Sequence, residues 1–255
     1  MSRTCFTRIL PGLAGSLLSL SAPALDTALP FYGDDLDAGI TVEMLVEDMK
    51  RDIRQQEAFT GETFDGEQQE KRLITRLTGY PTARIQVYGL LGLVNSEDAD
   101  NSAPMLGGGI RAQVGSMDGF RLSALAGGYW VDGIEYTSPG VLTPFEEFAA
   151  SHREESYYEW GLGLVIDRAW WMTAQTQLVP FAGMTWSMMQ ADGKETFAYP
   201  TTGRIVHDDQ VDFEDDSPFA LVGGLALLVN RNFGLRIEGR FIDQTSLSAG
   251  LFFSF

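Results

Sequence analysis

The chain has 255 residues, with 18 Lys and Arg against 35 Asp and Glu for a formal net charge of −17, 28 glycines and one cysteine. That acidity excludes a nucleic-acid surface, which needs Lys and Arg against phosphate, and a single Cys excludes a disulfide framework. Mean hydropathy is −0.05, so a membrane-spanning reading has to rest on alternating strands and not on apolar helices.

Arg3 and Arg8 precede an apolar run from Ile9 to Leu20, and Ala22-Pro23-Ala24 follows the small-x-small rule of signal-peptide cleavage. Residues 1–24 therefore read as a signal peptide, 25–39 as an N-terminal periplasmic segment and 40–255 as one β domain. The apolar run is short of the roughly 20 residues of a spanning helix, and Pro11, Gly12 and Gly15 interrupt it. Cys5 lies inside the signal and ahead of the run, so neither thiol chemistry nor lipoprotein processing is expected.

Ile40 to Glu47 alternates, with Ile40, Val42, Met44 and Val46 on one face, and also fits an amphipathic helix through Val42, Leu45, Val46, Met49 and Ile53. Arg72 to Thr78 opposes Leu73, Thr75 and Leu77 to Arg72 and Arg76, with Arg54 to Glu70 as a polar connection before it and Gly79-Tyr-Pro81 as a short turn after it. Arg84 to Asn95 places Ile85, Val87, Gly89, Leu91 and Leu93 against Arg84, Gln86 and Tyr88. An acidic loop, Ser96 to Ser102, leads to Met105 to Val114, where Leu106, Ile110, Ala112 and Val114 oppose Arg111 and Gln113. Ser116-Met-Asp-Gly119 reads as a tight hairpin turn.

Phe120 to Val131 returns with Phe120, Leu122, Ala124, Ala126 and Trp130 against Arg121, Ser123 and Tyr129, followed by a long loop over Asp132 to Glu155. Tyr157 to Asp167 sets Tyr158, Trp160, Leu162, Leu164 and Ile166 against Glu159, Gly161, Gly163 and Asp167, and Arg168 to Ala174 connects. Gln177 to Ser187 has no clear phase, because both faces are apolar and Pro180 cannot donate to a ladder. An acidic loop over Gln190 to Ser217 precedes Phe219 to Val229, Asn230-Arg-Asn232 turns, and Phe233 to Ile242 opposes Phe233, Leu235, Ile237, Gly239 and Phe241 to Arg236, Glu238 and Arg240. Asp243 to Ser246 connects to a last strand with Leu247, Ala249, Leu251, Phe253 and Phe255 on one face.

From Thr82 onward this makes eight strands of about membrane-spanning length, with short and long connections alternating as periplasmic turns and extracellular loops do. Adding Ile40 to Glu47 and Arg72 to Thr78 makes ten. An all-β, closed, antiparallel up-and-down transmembrane barrel of ten strands is favoured, with eight strands behind an N-terminal amphipathic helix as the alternative.

Arg76-Leu-Thr-Gly-Tyr-Pro-Thr-Ala-Arg-Ile-Gln-Val-Tyr-Gly-Leu-Leu-Gly92 resembles the strand, turn, strand opening of many small Gram-negative outer-membrane β-barrel proteins. Gly250-Leu-Phe-Phe-Ser-Phe255 resembles their C-terminal recognition signal for the barrel-assembly machinery, which implies that role for Leu251, Phe253 and Phe255. The resemblance implies a cell outer-membrane location after export, with lipid and lipopolysaccharide around the barrel. It supplies no catalytic residues and no cofactor.

In a narrow barrel the inward charges have to pair. Those expected in the lumen are Glu43, Glu47, Arg72, Arg76, Arg84, Arg111, Arg121, Glu159, Asp167, Arg236, Glu238 and Arg240. A salt-bridged, shape-holding lumen under acidic extracellular loops implies envelope structure or surface interaction. The alternative is a small porin-like channel whose Arg and Glu residues set ion preference. An outer-leaflet hydrolase or protease has less support. Ser151-His-Arg-Glu-Glu-Ser156 holds the residue types of a hydrolase but not the His-x-Ser spacing of lipid A deacylases, and His207-Asp208-Asp209 lacks the Asp-x-His spacing of outer-membrane proteases.

Asp192, Glu195, Asp208, Asp209, Asp212, Glu214, Asp215 and Asp216 offer oxygens for a weak, diffuse divalent-cation attraction, with no fixed loop motif and so no dedicated metal site. Gly107 to Gly109 has no helix after it and reads as room for large lumen neighbours, not as a phosphate loop. Trp170 and Trp171 at one end, and Tyr129, Trp130, Tyr157, Tyr158 and Trp160 at the other, are expected to form aromatic girdles.

Overall fold

Alternation from Ile40 onward becomes strand: β1 (Ile40–Glu57), β2 (Thr63–Thr82), β3 (Ile85–Ser96), β4 (Ala103–Met117), β5 (Phe120–Ser138), β6 (Ala150–Arg168), β7 (Trp170–Trp171), β8 (Gln177–Ala198), β9 (Ile205–Asp215), β10 (Phe219–Leu228), β11 (Phe233–Ile242) and β12 (Gln244–Ser254). The computed structural model describes residues 39–57, 63–140, 150–215, 219–230, 232–242 and 244–255. The expected signal peptide and residues 25–38 of the periplasmic segment lie outside them, as does Asp216.

Neighbours pair antiparallel, and β12 closes onto β1 from Thr41↔Ser254 to Arg51↔Gln244. The short β7 lies beside β8, and β9 and β10 are successive stretches of one stave, so the ring is a closed ten-strand barrel. The helix alternative for the first segment is thereby excluded. As a strand, β1 sets Glu43 opposite Arg76 and Glu47 opposite Arg72 on β2, an opposite-charge match that stabilises the pair and that a helix would forgo.

Strand β8 resolves the uncertain phase. Val179, Phe181, Thr185, Ser187 and Met189 are buried inside, while Met184 is exposed outside. Pro180 lies just past the last β6–β8 pair, Asp167↔Phe181, where β6 gives way to β7.

The outer skin is apolar. Met44, Val46, Leu73, Leu91, Leu106, Leu164, Met184, Leu225, Ile237 and Leu251 all face outward and exposed. A patch of that extent does not persist in water, and closed barrels are the β structures that satisfy every backbone group within a bilayer. The protein is therefore a multi-pass barrel of the outer membrane. Trp130, Tyr158 and Trp160 on the outer side and Trp170 and Trp171 at the opposite end are exposed, as girdle residues are. Trp160 meets Trp186 edge-on, with ring centroids 5.4 Å apart. Tyr129 and Tyr157 instead point into the lumen, which corrects their girdle assignment. They fall on the inward phase of β5 and β6, and their hydroxyls find charged partners there.

The described residues of the stretches expected as loops over Asp132 to Glu155, Gln190 to Ser217 and Arg54 to Glu70 are largely strand. Beyond the bilayer the outward face of these strands is polar as well, with Glu135, Glu154, Asp192 and Lys194 exposed, so the outward apolar period vanishes while the ladder continues. Strands β3 and β4 stop at Ser96 and Ala103, and the loop between them bridges β2 to β5. Glu97 N donates to Gln69 O at 3.0 Å and Asp100 N to Glu135 O at 2.7 Å, and the Asn101 side chain holds Gly133 O and Glu135 N. On the other side, β11 and β12 end at Ile242 and Gln244, and β1 continues past them by pairing with β9, from Ile53↔Asp215 to Glu57↔Val211. A narrower ring of β1, β2, β5, β6, β8 and β9 thus stands above the membrane-spanning barrel.

Candidate functional site: the charged lumen and its outer mouth

Successive inward positions on β1 (Glu43, Leu45, Glu47, Met49, Arg51) and on β2 (Glu70, Arg72, Ile74, Arg76) are buried. Inward arginines from β4 and β5 meet Asp167 on β6, and Arg236 on β11 meets Glu238 of the same strand. The charges form three layers.

In the layer nearest the outer mouth, Arg72 Nη2 lies 2.7 Å from Glu70 Oε2, and Arg51 contacts Glu70 at 3.3 Å and Glu159 at 3.2 Å. The Tyr157 hydroxyl donates to Glu70 at 2.9 Å and the Tyr129 hydroxyl to Glu159. In the middle layer, Arg76 reaches Glu43 at 2.7 Å, Arg236 pairs with Glu238 and lies 3.5 Å from Glu43, and Arg240 lies 2.9 Å from Glu238 and 3.8 Å from Glu47. Glu47 also ties this layer to Arg72 at 3.5 Å. In the layer nearest the periplasm, Asp167 accepts from Arg111 at 2.6 Å and from Arg121 at 2.7 Å.

Aromatic rings fill the space between the ion pairs. Arg51 lies 4.9 Å from the Tyr157 ring centroid, Arg72 5.0 Å from Tyr129, Arg76 5.3 Å from Tyr88 and Arg236 5.5 Å from Phe181, within cation–π reach. Room for them comes from glycine. A Cβ at Gly109 or Gly127 would strike the Tyr88 hydroxyl, and one at Gly224 would strike the Phe181 ring.

Of the residues expected in the lumen, Arg84 is misplaced. It stands exposed in the turn between β2 and β3, because β3 starts one residue later, at Ile85. The others are inside, with Arg121 only partly covered. Arg51 and Glu70 were missed, although they continue the inward period of β1 and β2, because both lie where the flanking residues are already polar. Leu251, Phe253 and Phe255 face outward, with Phe253 packed on Phe233 at 5.2 Å between centroids.

At the outer mouth, above the bilayer, lies a cavity of about 140 Å³. Its walls include Gln68, Tyr136, Arg153, Glu155, Tyr157 and Met189. Arg153 pairs with Glu155, and its guanidinium sits 5.1 Å from the Tyr136 ring centroid. Burial pushes the Glu155 carboxyl above its ordinary value, against the pull of Arg153. Burial and the neighbouring Glu155 push the Tyr136 hydroxyl up to about 12.

Ser151 and His152 are consecutive strand residues, whose side chains point to opposite faces. His152 Nδ1 lies 3.4 Å from Thr137 Oγ1 across the β5–β6 ladder. On β9 the register sets Asp212 opposite Asp192 and Asp209 opposite Glu195. Among the described residues no group of three or more His, Cys, Asp and Glu is arranged to hold a metal ion.

No family model matches the chain, and no curated protein matches it. Solved structures similar to it include the outer membrane protease OmpT from Escherichia coli, at 12% identity and TM-score 0.49, covering 87% of this chain and 99% of that one. The translocator domain of the autotransporter NalP from Neisseria meningitidis matches at 12% identity and TM-score 0.44, over 85% and 88% of the two chains. The β domain of the Bordetella autotransporter BrkA matches at 16% identity and TM-score 0.43, over 86% and 100%. These proteins differ in activity, so the functional reading rests on this chain's own residues.

Proposed function

We propose that the protein is a plugged outer-membrane barrel whose lumen serves shape and not transport, and whose narrower upper ring meets partners at the cell surface. The observation that carries this is the layered lumen: arginines stacked on Tyr157, Tyr129, Tyr88 and Phe181 are tied to carboxylates from β1 and from the far wall. Each guanidinium is held by ion pairs and a ring at once, and releasing one would leave a buried charge unpaired.

The exterior is the surface for lipid and lipopolysaccharide, and Leu251, Phe253 and Phe255 form the edge offered to the barrel-assembly machinery during insertion. The acidic residues of β8 and β9, such as Asp192, Glu195, Asp209 and Asp212, attract divalent cations weakly. No enzymatic role is proposed, since Ser151 and His152 are consecutive strand residues whose side chains diverge.

Planar-bilayer recording of the purified protein tests the reading. It expects a silent bilayer at all voltages, and discrete openings would replace it with a channel.

A further inference from the structure

We propose that the slot between β2 and β5 in the upper ring takes an extended peptide of basic character, which adds to these edges as a strand and places a Lys or Arg side chain in the outer-mouth cavity. The inference rests on the reading of the upper ring as the part that meets partners, and it supplies the chemistry of the partner.

The first observation is an asymmetry in how the barrel narrows. Two hairpins stop short of the upper ring, β3–β4 and β11–β12. Over β11–β12 the flanking strands join directly, β1 to β9, from Ile53↔Asp215 to Glu57↔Val211. Over β3–β4 the flanking strands are β2 and β5, and among the described residues no ladder joins them. The loop after β3 ties only their feet. Glu97 N donates to Gln69 O on β2, while Glu135 on β5 accepts from Asp100 N and donates its own N–H to Asn101 Oδ1.

Gln69 and Glu135 therefore turn backbone groups toward the gap. Backbone groups of a strand alternate sides, so Glu67 and Asp65 on β2 and Thr137 on β5 turn theirs the same way. Above the loop these groups have no ladder partner on that side among the described residues. A strand edge left in this way is a template for another chain, and main-chain pairing to such an edge is a recurrent mode of peptide recognition.

The second observation is what lies behind the slot. Glu67 and Gln68 of β2, Glu97 and Asp98 of the loop, and Tyr136 of β5 all line the cavity of about 140 Å³, with Arg153 and Glu155 of β6. A hole of about 150 Å³ holds a single benzene-sized group, so this one takes the end of one side chain. Its charges select which. The carboxylates of Glu67, Glu97, Asp98 and Glu155 line it with a single guanidinium, Arg153, which is engaged by Glu155 and by the Tyr136 ring. Glu67 meets Lys50 at 3.2 Å, an exposed pair of the kind that holds weakly. A neutral or acidic strand would strip water from these carboxylates and return nothing. A Lys or Arg, carried inward by strand alternation, would give them a charge-assisted partner.

Peptide binding to the detergent-folded full chain tests this. The probe is a fluorescent, end-blocked peptide of alternating Thr and Lys, six residues long, read by anisotropy. It should bind saturably, and the same peptide with Glu for Lys should not. Methylating either alternate set of its backbone amides keeps the charge but removes the hydrogen bonds to one edge, and should weaken binding about tenfold or more. Equal binding by the methylated peptide would overturn strand addition, and no binding by the lysine peptide would overturn the site. Exchange of the Glu67 and Thr137 amide hydrogens, followed by NMR, should be fast in the free protein and slow with the peptide bound. Slow exchange before any peptide is added would mean that this chain's own residues fill the slot, and would overturn the proposal. Conductance is read separately: a failed peptide with a silent bilayer removes this partner and leaves the plugged lumen, whereas discrete openings remove the plugged lumen whatever the peptide does.

Discussion

The Tyr157 hydroxyl donates to Glu70 Oε2 at 2.9 Å across 87 residues of sequence, and Arg72 Nη2 lies 3.2 Å from the same hydroxyl. Tyr157 is thus the polar hinge of the outer lumen layer. Removing only its oxygen, as Tyr157→Phe, leaves Glu70 one donor short in a closed space. The expected cost is about 1–3 kcal/mol, the range for an unsatisfied buried group, read from urea unfolding of the membrane-folded protein. An unchanged midpoint would mean that water replaces the hydroxyl.

Arg76 and Glu43 are both fully enclosed and 2.7 Å apart. Arg76→Met alone strands Glu43 against the weaker contact from Arg236, at 3.5 Å, and should cost about 3–5 kcal/mol, as breaking a buried pair does. Combining it with Glu43→Leu removes the stranded charge and should restore part of that loss. A double-mutant cycle on unfolding midpoints measures the coupling. Additive losses would show that the pair does not act as a unit.

Gly127 faces Tyr88. A Cβ there would lie 2.7 Å from the Tyr88 hydroxyl and 2.9 Å from Gly108 O, so Gly127→Ala overpacks the lumen. Such insertions typically cost about 1–3 kcal/mol. Tyr88→Phe in the same chain takes away the side-chain half of the clash and should recover part of the loss. The shift between boiled and unboiled mobility on a gel gives the folded fraction at each temperature.

Glu155 makes the outer mouth sensitive to pH. Burial raises its carboxyl above the ordinary 4.5, so the folded state binds its proton more tightly than the unfolded chain does. Its contribution is fully present below pH 4.5 and is lost as pH rises through the raised value. Glu155→Gln should therefore leave the unfolding midpoint near wild type in acid and raise it relative to wild type at neutral pH. A variant midpoint that falls with pH in parallel with wild type would remove Glu155 as the cause.

Where lipid lies on one side and packed charge on the other, alternation is unambiguous, and Met44, Leu91, Leu164 and Ile237 identify their own face. The inward phase of Glu43, Glu47, Arg72 and Arg76 follows from the same period and from their charge match. Legibility ends where the environment outside the barrel becomes aqueous. There Arg51, Glu70, Tyr136 and Glu155 sit in strands whose outward neighbours are also polar, so no contrast marks the inner face. Tyr129 and Tyr157 were ambiguous because a tyrosine suits both an interface girdle and a polar lumen. Arg84 was misplaced because a one-residue change in where β3 begins decides whether it is strand or turn. Which arginine meets which carboxylate depends on shear around the ring, and that is set by cross-strand register, not by any local spacing.

The ladder between β1 and β9 has a mechanical consequence for the seam of the cylinder. Two different strands grip β1 along its length: β12 up to Arg51 and β9 from Ile53 onward. The joint between first and last strand is therefore overlapped at its upper end, as one barrel stave is bound by a hoop. Pulling β12 away from β1 would leave the upper ring still closed, so the surface-facing half can hold its form while the membrane seam yields.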